Sequence, residues 1–98
     1  MTTLKRGNCY VTCEALFHLM GGREAGWKPM NMRFEGDQHW FLYNEYSGQI
    51  VDPTASQFKR RPTLYDYVWA RGRGFRTRDP SRRARQLMHK LLWQENAA

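Results

Sequence analysis

Cysteine is scarce in this chain. Two are present among 98 residues, Cys9 and Cys13, too few for a disulfide scaffold. Their spacing puts both on one predicted helix, where a bridge across a single turn would constrain almost nothing, so both read as reduced thiols. Long apolar runs are missing too. The longest, such as Trp40-Phe41-Leu42-Tyr43, fall far short of the ~20 residues that a membrane span needs, so no membrane partner is expected. The N-terminal Met1-Thr2-Thr3-Leu4-Lys5-Arg6-Gly7 is basic with no apolar stretch behind it, which is not the pattern of a secretory signal. A cytoplasmic protein is the expectation.

Acidic residues are few: 9 against 16 basic ones, for a net charge of +7. From Lys59 to Lys90, Asp66 and Asp79 are the only acids among many arginines and lysines. This asymmetry points to an anionic partner for the second half, such as nucleic acid, a nucleotide or an acidic protein. A merely solubilising basic face explains it equally well. Arg71, Arg73, Arg76, Arg82 and Arg83 are the candidate anion contacts. The segment Ala70-Arg71-Gly72-Arg73-Gly74-Phe75-Arg76 has glycines that let a phosphate approach the backbone beside arginines. It matches neither a P-loop nor a dinucleotide fingerprint, and a glycine-capped turn is the simpler account.

What is present is enough for one folded domain, 1–98. Hydrophobic residues make up 41% and aromatics 14%, although a chain this short buries a smaller share of its surface than a large one. Asn8 is a good helix N-cap. Ala15, Leu16, Leu19 and Met20 then form an apolar stripe over 9–20, and Gly21-Gly22 ends it. Strand-like runs follow at 30–34, 39–43 and 49–52, separated by Glu35-Gly36-Asp37 and Tyr46-Ser47-Gly48. Pro53 ends the third. Thr63 and Asp66 resemble a capping box for a short helix through Ala70. A last helix opens near Asp79-Pro80-Ser81 and carries Ala84, Leu87, Met88, Leu91 and Leu92 at helical spacing. The expected class is α+β, with the Cys-bearing helix on a three-stranded antiparallel sheet and two helices after it.

Three residues suggest chemistry together. Cys9 falls at the first turn of the first helix, where the macrodipole and free amide groups stabilise a thiolate, and its own N–H is free for a developing oxyanion. His39 opens the middle strand and Asp52 closes the next. A tight turn around Ser47-Gly48 places Phe41 opposite Asp52 and His39 one step along on the same face. Diagonal neighbours of this kind have β-carbons roughly 7–8 Å apart, near enough for carboxylate to meet imidazole. A one-residue slip would turn Asp52 to the other face. The order is nucleophile, base and orienting acid.

With Gly7-Asn8-Cys9-Tyr10, His39-Trp40-Phe41-Leu42 and Val51-Asp52-Pro53-Thr54 in that order, the chain resembles the papain-like superfamily, and within it the transglutaminase-like branch. The resemblance covers 7–58 and leaves the basic part, 59–98, unaccounted for. It implies acyl transfer through a thioester (amide hydrolysis, deamidation or transglutamination) on an amide-bearing protein or small molecule, with no cofactor. Cys9 would be the nucleophile, His39 the general base and acid, and Asp52 the orienter. That family takes a second oxyanion donor from a Gln or Trp before the nucleophile; here the candidates are Asn8 and Trp27. A compact basic chain of this style suits a phage or mobile-element product that acts on a host factor.

Plainer readings stand beside these. Cys9 alone would be a small buried hydrophobe, His39 a structural histidine and Asp52 a turn former. Cys13, one turn deeper, reads as core, and His18 faces away from Cys9. A zinc site from Cys9, Cys13 and His39 lacks a fourth ligand. The competing function is a non-catalytic scaffold that binds an anionic partner through its arginines. The oligomeric state is left open by the residues.

Overall fold

The computed structural model describes residues 9–97, with side chains of 57 and 93–97 left aside. Helix α1 runs Cys9–Leu19. A 3-10 turn over Gly22–Ala25 leads into β1, Trp27–Phe34, then β2, Asp37–Asn44, and β3, Ile50–Val51. A second 3-10 turn, Ala55–Gln57, precedes the four-residue α2, Leu64–Tyr67. The two-residue β4, Arg71–Gly72, and the long α3, Arg82–Ala97, complete the chain. The class is α+β: one antiparallel sheet with a helix on it and a C-terminal helix beyond.

The first hairpin is closed by Glu35 and Gly36, both at positive φ (49° and 83°). This is the backbone that a two-residue turn matching the strand twist requires. β1 and β2 then pair along their whole length, from Phe34 with Asp37 to Trp27 with Asn44. The second hairpin has the expected register, with Leu42 opposite Val51 and Tyr43 opposite Ile50. Gly26, at φ 93°, turns the chain into β1; a β-carbon there would lie 2.5 Å from the Tyr46 ring, so a larger residue does not fit.

The architecture departs from the expected one in three places. β1 begins at Trp27 rather than Met30 and carries Pro29 within it. The Pro29 carbonyl accepts from the Arg73 N–H at 3.0 Å, so its missing N–H also lies on that outer side and no β1–β2 hydrogen bond is lost. The sheet has four strands in the order β3-β2-β1-β4, because Arg71 and Gly72 pair with Asn31 and Met30 instead of forming a free turn. That satisfies part of an otherwise open edge on β1. The penultimate helix is a single turn, since Trp69 and Ala70 leave it to enter β4.

Side chains alternate across the sheet. Trp27, Trp40 and Leu42 form one core with Cys9 and Cys13 beneath α1. Met32, Phe34, Phe41 and Phe58 form a second core on the opposite face. α3 packs on α1. Its start is fixed by the buried Glu14, whose carboxylate accepts from the Ser81 N–H and hydroxyl, each at 2.8 Å. The Ser81 hydroxyl in turn accepts from the Ala84 N–H, the geometry of a helix cap. No helix among the described residues is long and apolar enough to cross a membrane.

Candidate functional site

β3 is only two residues long, and this shapes the site. It pairs with Leu42 and Tyr43 but stops before Gln38, His39 and Trp40, leaving that stretch of β2 edge without a strand partner. The first turn of α1 comes to this open edge. The Cys9 thiol donates to the Gln38 carbonyl oxygen at 3.7 Å.

His39 lies at the same end of β2 and is fully buried, 0% exposed. Its Nε2 meets both Asp52 oxygens, at 2.7 and 2.9 Å. The ring stands edge-on to Phe58, centroids 4.7 Å apart, and stacks on Phe41 at 6.4 Å. Phenyl rings on two sides leave it little freedom to turn. Nδ1, the nitrogen that Asp52 does not hold, is buried and has no hydrogen-bond partner. Burial works to lower the imidazole pKa. The hydrogen bond to Asp52, the hydrogen-bonding proximity of the Cys9 side chain and the charges of both outweigh it, and hold the value at about 9. Cys9, His39 and Asp52 therefore come together, and the ring is protonated at neutral pH.

Cys13 differs from Cys9 in position and chemistry. It is wholly enclosed, and burial, with smaller contributions from the charges of Asp52 and Cys9, pushes its thiol well above the usual range. It belongs to the core. Cys9 is itself only 6% exposed, but its sulfur sits against polar atoms at the sheet edge.

One residue that sequence reasoning missed joins the site. The Tyr67 hydroxyl donates to Asp52 Oδ2 at 2.7 Å. Burial, then the Asp52 hydrogen bond, pushes the phenol well up, so it remains a donor across the physiological range. The signal lay one residue before it. Asp66 accepts from the Thr63 N–H at 2.8 Å as the second half of the capping box, and from both Arg60 nitrogens at 2.9 and 3.2 Å. Those contacts, the Arg60 bond foremost, hold the Asp66 carboxyl far below the usual carboxylate range. The capped turn presents Tyr67 to Asp52. Asn31 also approaches, its side-chain amide donating to the His39 carbonyl at 3.5 Å.

The oxyanion and anion candidates do not gather around the thiol in the same way. Trp27 pairs with Asn44, five residues along β1 from the Met32–His39 pair, or roughly 17 Å at strand spacing. Its side chain packs in the same core cluster as Cys9 and Cys13, with no hydrogen bond to the site among the described residues. Asn8 lies outside the described residues. Arg71 and Arg73 line one cleft, while Arg83 lines a separate groove of about 650 Å3 between α1 and α3 that contains none of the three triad residues. Arg76 lines neither; its backbone N–H donates to the Tyr10 hydroxyl at 2.6 Å. Arg82 is exposed at the start of α3. The five arginines thus form no single anion site. Among the described residues, no three His, Cys, Asp or Glu side chains are grouped to hold a metal, so the zinc alternative gains no support.

Compared with protein-family models, curated proteins and solved structures, the chain matches none of them.

Proposed function

We propose that this protein performs thiol-dependent acyl transfer on an amide, as a minimal papain-like fold of transglutaminase-like type. The observation that carries the reading is His39: one nitrogen is gripped by Asp52, and the other is buried without a partner in a ring that the Cys9 thiol adjoins. A protonated imidazole beside a sulfur at a helix start is the pairing that thiol nucleophiles use. The Cys9 sulfur attacks the amide carbonyl carbon, forming the S–C bond, and the carbonyl π electrons move onto oxygen. The Cys9 N–H would donate to that oxygen. As the C–N bond breaks, His39 gives its Nδ1 proton to the leaving amine. Water or a second amine then attacks the thioester, His39 takes its proton, and the S–C bond breaks to restore the thiolate. Asp52 keeps the ring oriented and stabilises its charge throughout.

No hydrogen bond ties Trp27 to the thiol site among the described residues, and we assign no second oxyanion donor. Loss of one such donor costs roughly 10²–10³ in rate, so slow turnover is expected. The test is acylation by p-nitrophenyl acetate. The reading predicts a burst of about one equivalent, with the acetyl group on Cys9, retained in Cys13→Ser and abolished in Cys9→Ser. A wild-type trace indistinguishable from that of Cys9→Ser would refute it.

A second reading is favoured by the near-complete enclosure of Cys9 and His39: the same scaffold serves as a binding protein for an anionic partner, with the network kept for rigidity.

A further inference from the structure

The open edge of β1 lies across the sheet from the β2 edge that holds Cys9, with Gln38, the partner of Arg33, between them. β4 pairs with Met30 and Asn31 and then stops, although β1 continues to Phe34. Backbone groups alternate in direction along a strand. Since those of Pro29 and Asn31 face β4, those of Arg33 face outward beyond the end of β4, with no strand partner. A cleft of about 320 Å3 opens here, lined by Asn31, Arg33, Gln38, Trp69, Arg71 and Arg73. Its three arginines are exposed and form no ion pair among the described residues. Arg73 lies over the Trp40 ring, 5.7 Å from its centroid. Trp69 is 74% exposed, an unusual position for so large an apolar ring. Gln38 belongs to both sites: its side chain lines the cleft, and its carbonyl accepts from the Cys9 thiol.

We propose that this cleft binds an extended acidic peptide segment, which adds as a strand to the β1 edge beyond β4, and that Gln38 joins this docking cleft to the thiol site. Main-chain hydrogen bonds to Arg33 would give affinity without sequence demands, as in other strand-addition complexes. Carboxylates of the segment would meet Arg33, Arg71 and Arg73, and an apolar side chain would cover Trp69. Guanidinium groups pair with carboxylates in two-point fashion, which makes acidic residues the fitting complement. An extended peptide is favoured over nucleic acid because the unpaired element is a strand edge, and because the chemistry proposed at the thiol acts on amides.

This proposal rests on the acyl-transfer reading for its choice of substrate, but binding can be measured without turnover. The full chain carrying Cys9→Ala is titrated into a fluorescein-labelled peptide of alternating glutamate and leucine around one glutamine, with fluorescence anisotropy as the readout. The expected results are saturable binding that weakens at least tenfold between 50 and 200 mM salt, and at least tenfold weaker binding to the lysine counterpart peptide. Arg33→Glu with Arg71→Glu should lower affinity at least tenfold. Arg82→Glu with Arg85→Glu, remote from the cleft and exposed, should lower it no more than about threefold. Trp69→Ala, which removes no charge, should also weaken binding several-fold. Circular dichroism melts of each variant identify any that fail to fold. Equal affinity for all folded variants would overturn the proposal, as would a single-stranded oligonucleotide that binds tighter than the peptide and displaces it. If the peptide binds as described but Cys9 is never acylated, the catalytic reading falls and the cleft stands; if Cys9 is acylated and no acidic peptide binds, the reverse holds.

Discussion

The two faces of the sheet are covered very differently. Over Trp27, Trp40 and Leu42 lies α1, with α3 packed on it. Over Met32, Phe34, Phe41 and His39 lie, among the described residues, Phe58 and its loop and the single turn of α2. The thick face packs Trp27, Trp40 and Leu42 against the two cysteines, whereas the thin one carries the His39–Asp52–Tyr67 chain of hydrogen bonds. A buried imidazole and carboxylate persist there because each holds a partner; an unpaired one would cost several kcal/mol. One face thus serves chiefly to hold the chain together, and the other to set the state of a proton.

Paired truncations test that division most severely. Leu42→Ala on the thick face and Phe41→Ala on the thin one should each lose about 3–5 kcal/mol in urea unfolding, since both side chains are fully buried. Phe41→Ala should also slow Cys9 alkylation, because the His39 and Tyr67 rings both pack on Phe41, whereas Leu42→Ala, which opens space in the core that holds Cys9, should not slow it. Equal reactivity in the two folded variants would erase the distinction between the faces.

A pH series sharpens it. The His39 pKa is raised on folding from an ordinary 6.5 to about 9, so the folded state binds the proton more tightly. The stability this contributes is complete below pH 6.5 and is lost as pH rises through about 9. Urea midpoints measured from pH 6 to pH 9.5 should fall across that window. His39→Gln, though less stable at pH 6, should show a flatter profile.

The smallest effect belongs to Tyr67→Phe. Losing a hydrogen bond to a carboxylate should cost about 1–2 kcal/mol in thermal unfolding and lower Cys9 alkylation only a few-fold. A loss as large as that of His39→Gln would mean that Tyr67 does more than orient Asp52.

Much of this was legible in the residues. The Cys9 helix start, the alternation around His39 and the second hairpin's register follow from turn chemistry and period, which act over a few residues. The Thr63–Asp66 cap was equally local, and the structure contains it. What the cap aims was not legible, because the Tyr67–Asp52 contact joins the end of α2 to the residue after β3, with no shared periodicity. β4 was hidden for a similar reason. Two residues containing a glycine carry no strand pattern, and they pair only because β1 offers unfilled backbone groups. Trp27 was singled out by residue type alone; its backbone pairs with Asn44 at the far end of β1 from His39, while its side chain joins the core that includes Cys9.

The central claim is that His39 governs the state of the Cys9 sulfur, and alkylation by iodoacetamide at pH 6 reads it directly. An ordinary thiol is almost wholly protonated at that pH, so loss of the imidazolium should slow modification of Cys9 on the order of 10²-fold, measured by peptide mass spectrometry in wild type and His39→Gln, with Cys13 unmodified in both. Identical slow rates at Cys9 in the two proteins would contradict the account.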